Sequence, residues 1–221
     1  MQPQYPGLLI TFEGGEGCGK STQVRETAAW LQSRGYEVLT TREPGDTPIG
    51  HEIRQLLLSG EYHPVAECEL LLFLADRAQH VQQVIIPALA RGVIVLCDRY
   101  SDSTEAYQLA ARQLSEHHPL DALLRFAEQG VRPDLTLWLD LEVQQGLARV
   151  RQRALTGESP TRLDEESLAY HQSVRQAFTT IHAHNGARMR RLDAHQSIKA
   201  VQGEIQALMT QKLVETGRSH G

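Results

Sequence analysis

The chain has 221 residues, 41% hydrophobic and 22% charged, with a formal net charge of −5. That length suits one domain with a small mobile appendage, and the composition excludes wholesale disorder. The acidic balance argues against a sequence-independent grip on nucleic acid, which needs a basic surface, while a few local cations suffice for a small anion.

The three cysteines, Cys18, Cys68 and Cys97, form no closely spaced pair. A disulfide framework or structural zinc site is therefore not expected, and a reducing cytoplasm is the simplest home. Residues 1–12 carry no basic stretch ahead of an apolar core, so no secretory leader is expected. No run approaches the ~18 apolar residues of a membrane span.

In chain order, residues 8–12 are a short apolar run ending on glycines, which predicts a buried strand. A helix over 21–33 follows, ended by Gly35, and then a strand over 36–41. Helices are expected over 48–58 and 66–89, the second broken at Arg91-Gly92, before a third apolar strand at 93–97. A helix-rich stretch runs to about Gly130, and a fourth strand over 134–141 is introduced by Arg132-Pro133. The remainder reads as a helix over 143–154, a polar break at 156–160, a helix over 163–184, a fifth strand over 189–192, a helix over 198–214 and a frayed tail at 215–221. Continuous apolar strands alternating with helices predict an α/β fold: a five-stranded parallel sheet with helices on both faces. Ligands of such sheets bind at the carboxyl ends of the strands. A single domain over 1–221 is expected, with a mobile lid at about 149–163.

Gly14-Gly15-Glu16-Gly17-Cys18-Gly19-Lys20-Ser21 fits G-x-x-x-x-G-K-[ST] and sits between a strand and a helix, the context that gives this motif meaning. Glycines let the backbone turn its N–H groups toward phosphate, and the helix that begins near Lys20 points its positive end the same way. Lys20 then reaches the outer phosphates, and the Ser21 hydroxyl holds Mg²⁺. Gly14 through Thr22 are thus the expected ATP-binding residues of a P-loop NTPase fold. The guanine-specific strings of switch GTPases are absent, and Leu58-Ser59-Gly60-Glu61 is only an echo of a transporter signature, so a small-molecule kinase is favoured.

Three segments fall where an acceptor would bind. Thr41-Arg42-Glu43-Pro44-Gly45 places an arginine at a strand end, suited to phosphate; its plainer alternative is a surface turn with a solvated Arg-Glu pair. Asp98-Arg99-Tyr100 follows an apolar strand, so Asp98 faces the loop, where it orients Mg²⁺, and Arg99 stands beside the transferring phosphoryl group; the alternative is a strand-capping ion pair. Phe73 and Arg77, four apart, share a helix face as a ring and a guanidinium for a base, or as a core aromatic and an exposed arginine.

With these segments in this order, the sequence resembles the bacterial thymidylate kinases from about Leu8 to Ala194. The strings are Phe12-Glu13-Gly14 through Ser21-Thr22, Thr41-Arg42-Glu43-Pro44-Gly45, Asp98-Arg99-Tyr100 with Ser103 and Ala106-Tyr107-Gln108, Arg132-Pro133-Asp134, and Leu139-Asp140. The resemblance implies ATP and dTMP as substrates, Mg²⁺ as the cofactor and a homodimer. It places Glu16 on the 3′-hydroxyl, Arg42 and Arg99 on the acceptor phosphate, Phe73 on the thymine ring and Arg77 on its O4 edge. Ser103 and Gln108 then border the base, Tyr107 lies beside the 2′ carbon, and Asp98 is close to the metal. Gly17 follows Glu16, so the loop lacks the arginine found in part of the family. The catalytic arginine is then expected in the lid, from Arg149, Arg151, Arg153 and Arg162, with Arg153 first and Arg149 next. Asp46 replaces the family's usual glycine, which costs strain if φ is positive there. His171, His182, His184 and His195 read as surface histidines. Two rivals remain: a kinase for another nucleoside monophosphate, and a regulatory module that binds ATP without transfer.

Overall fold

The computed structural model describes residues 5–114, 121–157 and 159–218. The expected helix-rich stretch before Gly130, the polar break and the frayed tail each run partly outside these residues. Strands β1 (Leu8–Glu13), β2 (Val38–Arg42), β3 (Ile94–Asp98), β4 (Leu135–Asp140) and β5 (Met189–Asp193) form one parallel sheet in the order β2-β3-β1-β4-β5. Every residue of β1 and β4 is buried, because helices cover both faces.

The period-two alternation of β1 sorts its side chains. Leu8, Ile10 and Phe12 pack with Leu31 of α1 (Lys20–Ser33) and Ile205 of α9 (Ile198–Glu215) on one face. Leu9 lies on the other, with Val81, Ile85 and Val95. Register sets Phe12 and Arg42 level with Asp98, so three strands present their carboxyl ends together.

Helices α2 (Pro48–Leu58) and α3 (Ala66–His80) follow β2. Thr47 caps α2 by accepting from the Gly50 amide at 2.9 Å, with Pro48 pre-set for the first turn. The expected helix over 66–89 is continuous but not uniform: a π-helical turn at Val81–Ile85 joins α3 to α4 (Ile86–Ala90). Pro87 accounts for it, since its ring has no N–H and would clash with the carbonyl of residue 83 in an α-helical register. After β3 come α5 (Ser101–Thr104), a second π-helical turn at Glu105–Ala110 and α6 (Asp121–Glu128). Helix α7 (Val143–Ala154) carries residues 149–154 of the 149–163 segment. The expected helix over 163–184 begins later, at Leu168 of α8 (Leu168–Asn185), because Ser167 caps it through the Tyr170 amide at 3.1 Å.

One open condition is resolved and one reading corrected. Asp46 is not among the residues with positive φ; Gly45 takes that conformation, and Asp46 accepts from Thr41 Oγ1 at 2.5 Å. His171 is not on the surface: it is 4% exposed, whereas His184 and His195 are exposed and His182 lies half-buried against Trp138.

Candidate active site

A cavity of about 980 Å³ opens at the carboxyl ends of β1, β2 and β3. The phosphate loop forms its floor. Gly14 and Gly17 have φ of 136° and 67°, and a Cβ on either would collide with a carbonyl, of Leu139 or Gly146 respectively, so only glycine fits. Gly19 precedes the first turn of α1, whose free amides face the cavity. Lys20 is buried, and its ammonium donates to Gly14 O at 3.1 Å and Gly15 O at 2.8 Å. Ser21 Oγ donates to Asp98 Oδ2 at 2.7 Å, which joins the two residues expected to hold a cation.

Arg99 organises the acceptor side. Its backbone has φ 73°, a conformation unusual for a residue with a side chain. Amide bonds on either side hold it there: Arg99 N donates to Phe12 O at 3.0 Å and Tyr100 N to Glu13 Oε1 at 2.7 Å. The guanidinium donates to Gly14 O and Ser103 Oγ, both at 3.2 Å, and to Glu16 Oε1 at 2.6 Å, and it lies 4.8 Å from the centre of the Tyr107 ring. Tyr107 also donates to Glu16 Oε1, at 2.9 Å. Burial opposes ionisation of Glu16, but Arg99, Lys20 and the Tyr107 hydroxyl outweigh it and hold the carboxyl down to about 2. Glu16, far in the sequence from Arg99, Ser103 and Tyr107, thus forms one connected group with them.

Arg42 and Phe73 line the same cavity, Arg42 exposed and Phe73 half-buried. Arg77 does too, but it is 1% exposed and heavily engaged: Nε donates to Glu43 Oε2 at 2.9 Å and Nη1 to Thr104 Oγ1 at 2.9 Å. The alternatives of an exposed arginine at position 77 and a solvated Arg42-Glu43 pair both fail, because Glu43 turns inward to Arg77. Gln108 lines the cavity and donates to Glu69. Arg149 and Arg153 reach the cavity from α7, with Arg149 donating to Gly17 O at 3.3 Å and Ala194 O at 3.5 Å. Arg162, also considered for the lid, instead donates to Leu57 O at 2.9 Å and pairs with Glu69.

The roles of four residues escaped sequence reasoning. Arg54 lines the cavity beside Arg42 and Arg99 and donates to Pro44 O at 2.9 Å; burial and those two arginines lower its affinity for a proton. Glu13 is fully buried and accepts from Ser103 Oγ at 2.5 Å; burial and the nearby Asp102 push its carboxyl up to about 8. A carboxylate closing an apolar run was the available signal. Glu43 and His80 pair at 2.8 Å in the core, a partnership across 37 positions that no local pattern marks. His80 Nε2 in turn lies 2.6 Å from Thr41 Oγ1.

Known proteins resemble this chain over most of its length. A family profile described as thymidylate kinase matches residues 12–205. The chain is 44% identical over 200 residues to the thymidylate kinase of Gloeobacter violaceus, covering 90% of this chain and 93% of that protein. It is 47% identical over 204 residues to the thymidylate kinase of Pseudomonas putida strain GB-1, covering 92% and 95%. Against the Trichormus variabilis thymidylate kinase the identity is 44% over 213 residues, covering 95% and 98%. The profile match over most of the chain, together with relatives of this identity and coverage, shows that the chain belongs to the thymidylate kinase family.

Proposed function

We propose that this chain transfers the γ-phosphoryl group of ATP, in line, to a 5′-phosphate oxygen of dTMP, giving dTDP and ADP. The observation that carries the reading is that one cavity is lined both by a phosphate loop, with Ser21 on Asp98, and by the guanidiniums of Arg42, Arg54 and Arg99. An acceptor phosphate is already ionised at neutral pH, so the residues need to position and neutralise rather than deprotonate. Lys20 leaves the loop carbonyls for the outer phosphates of the donor, and the three arginines hold the acceptor phosphate. Glu16, kept ionised by Arg99 and Tyr107, accepts from the 3′-hydroxyl, while the Tyr107 ring crowds the 2′ position. Phe73 stacks on the base, Arg77 donates to its O4 edge, and Ser103 and Gln108 border it.

Magnesium would supply positive charge that neutralises the donor phosphates. Ser21 Oγ and the Asp98 carboxylate would hold it; two hard oxygens at 2.7 Å suit a cation that keeps several waters. We assign 149–163 as a lid on a single kinase domain, with Arg153, then Arg149, as the arginine that closes over the phosphates and excludes water. We also place the enzyme in the cytoplasm, as three free thiols, one of them the exposed Cys68, suit a reducing compartment. A homodimer would cover Leu71 on α3 with Leu123 and Phe126 on α6, which are 56%, 41% and 77% exposed.

The test is ADP formation from Mg·ATP with dTMP, dUMP, UMP, dCMP, AMP or GMP in turn. Strong preference for dTMP is expected. Preference for another monophosphate would overturn the base-contact assignments, and ATP binding without acceptor-dependent turnover would favour a regulatory module.

A further inference from the structure

Outside the reacting centre, one charge cluster around a buried carboxylate joins three segments that meet only in the folded chain. Glu69, in the first turn of α3, has no solvent exposure. Its Oε1 accepts from Gln108 Nε2 at 3.0 Å and from Arg112 Nε at 3.4 Å. Its Oε2 accepts from Arg112 Nη2 at 3.3 Å and from Arg162 Nη2. Arg112 and Arg162 both face Glu166, at 2.5 and 3.8 Å, which closes a ring of two carboxylates and two guanidiniums with no net charge.

Each spoke of this ring touches a different part of the cavity wall. Gln108 lines the base end, and Glu69 lies one helical turn before Phe73. Arg162 closes the proposed lid segment; its amide donates to Leu58 O at 3.1 Å, and the neighbouring Thr161 and Asp164 line the cavity. A buried carboxylate shared between the base wall and the root of the lid cannot shift toward one partner without weakening its bond to the other, because neither has water as a substitute.

We propose that Glu69 is a positioning residue that couples occupancy of the acceptor's base pocket, sensed through Gln108, to placement of the lid, held through Arg162. The inference rests on the acceptor assignment above. Such coupling is reciprocal: an acceptor that fixes Gln108 fixes the lid root, and a placed lid tightens the acceptor. Its use is to confine water exclusion to the state in which the acceptor is present.

The test compares the full-length chain with its Glu69→Gln variant, measuring ADP and dTDP together and following hydrogen exchange of residues 159–167 with and without dTMP. In the unaltered chain, ADP should match dTDP, and dTMP should slow exchange of 159–167. In E69Q we expect the KM for dTMP to rise ~5–10-fold, the share of ATP hydrolysed without dTDP to rise at least ~5-fold and the protection by dTMP to disappear. A variant that melts earlier but keeps the ADP:dTDP ratio and the protection would reduce Glu69 to a structural role and overturn the proposal. If E69Q does not fold, Arg162→Lys, which keeps the charge but loses the planar fork, carries the same measurements. Absence of any dTMP-dependent turnover in the unaltered chain would overturn the acceptor assignment itself, a distinct failure.

Discussion

Glu43 Oε2 accepts from both Nε and Nη2 of Arg77, at 2.9 and 2.8 Å, and both side chains are 2% exposed. The two residues lie 34 positions apart, so the contact fastens the turn after β2 to the face of α3. Truncation at position 43 would strand a buried guanidinium and the His80 ring. We expect Glu43→Ala to lose ~3–5 kcal/mol of stability by urea denaturation, and Glu43→Gln distinctly less, as its amide oxygen still accepts. An alanine variant within ~1 kcal/mol of the parent would mean that the pair is already hydrated.

The Tyr107 hydroxyl and ring have separable roles. Tyr107→Phe removes the 2.9 Å bond to Glu16 but keeps the bulk beside the sugar. We expect the KM for dTMP to rise ~10-fold, the loss of one hydrogen bond to a charged group, with discrimination against UMP unchanged. A loss of discrimination without a KM change would assign the hydroxyl, rather than the ring, to sugar selection.

Arg149 and Arg153 can be told apart by steady-state kinetics. Arg149 is tied to the carbonyls of Gly17 and Ala194, so Arg149→Ala should loosen the donor site and act chiefly on the KM for ATP. Arg153→Ala should lower kcat by ~10³-fold with little change in either KM, as expected of a cation used in the transition state. The opposite pattern would exchange their roles.

Glu13 gives the stability a pH dependence of known sign. Its folded carboxyl titrates at about 8 against an ordinary 4.5, mainly through burial. The protonated form is therefore favoured by folding, and this contribution is full below pH 4.5 and lost as pH rises toward 8. Glu16 runs the other way: its contribution is present above pH 4.5 and lost as pH falls toward 2. Glu13→Gln fixes the neutral state, so its stability relative to the parent should improve by ~1 kcal/mol or more between pH 5 and pH 9. A difference that does not vary with pH would show Glu13 to titrate normally.

Much of this site was legible because its signals are local. The string from Gly14 to Ser21 specifies a loop conformation by itself, since Gly14 and Gly17 occupy turns that no other residue fits. Asp98 and Arg99 were placed by ending an apolar run, as strands of a parallel sheet deliver their carboxyl ends to one edge. Ser21 and Asp98 then meet because both ends of that logic converge. The start of α8 was misjudged by several residues: the periodicity extends back past Ser167, while the cap that ends it is a single hydrogen bond.

The sequence by itself determined the phosphate loop, the alternation of strands and helices, and the edge at which ligands gather, because each depends on residues adjacent in the chain. Only the tertiary structure decided which carboxylates face inward. Glu43 and Glu69 carry the same side chain as the exposed Glu26 or Glu52, and their neighbours in the chain do not reveal which way each faces. What separates them is a distant partner: Arg77 for Glu43, Arg112 and Arg162 for Glu69. A buried charge is tolerated only where such partners arrive, and their arrival is a property of packing between elements, not of any segment alone.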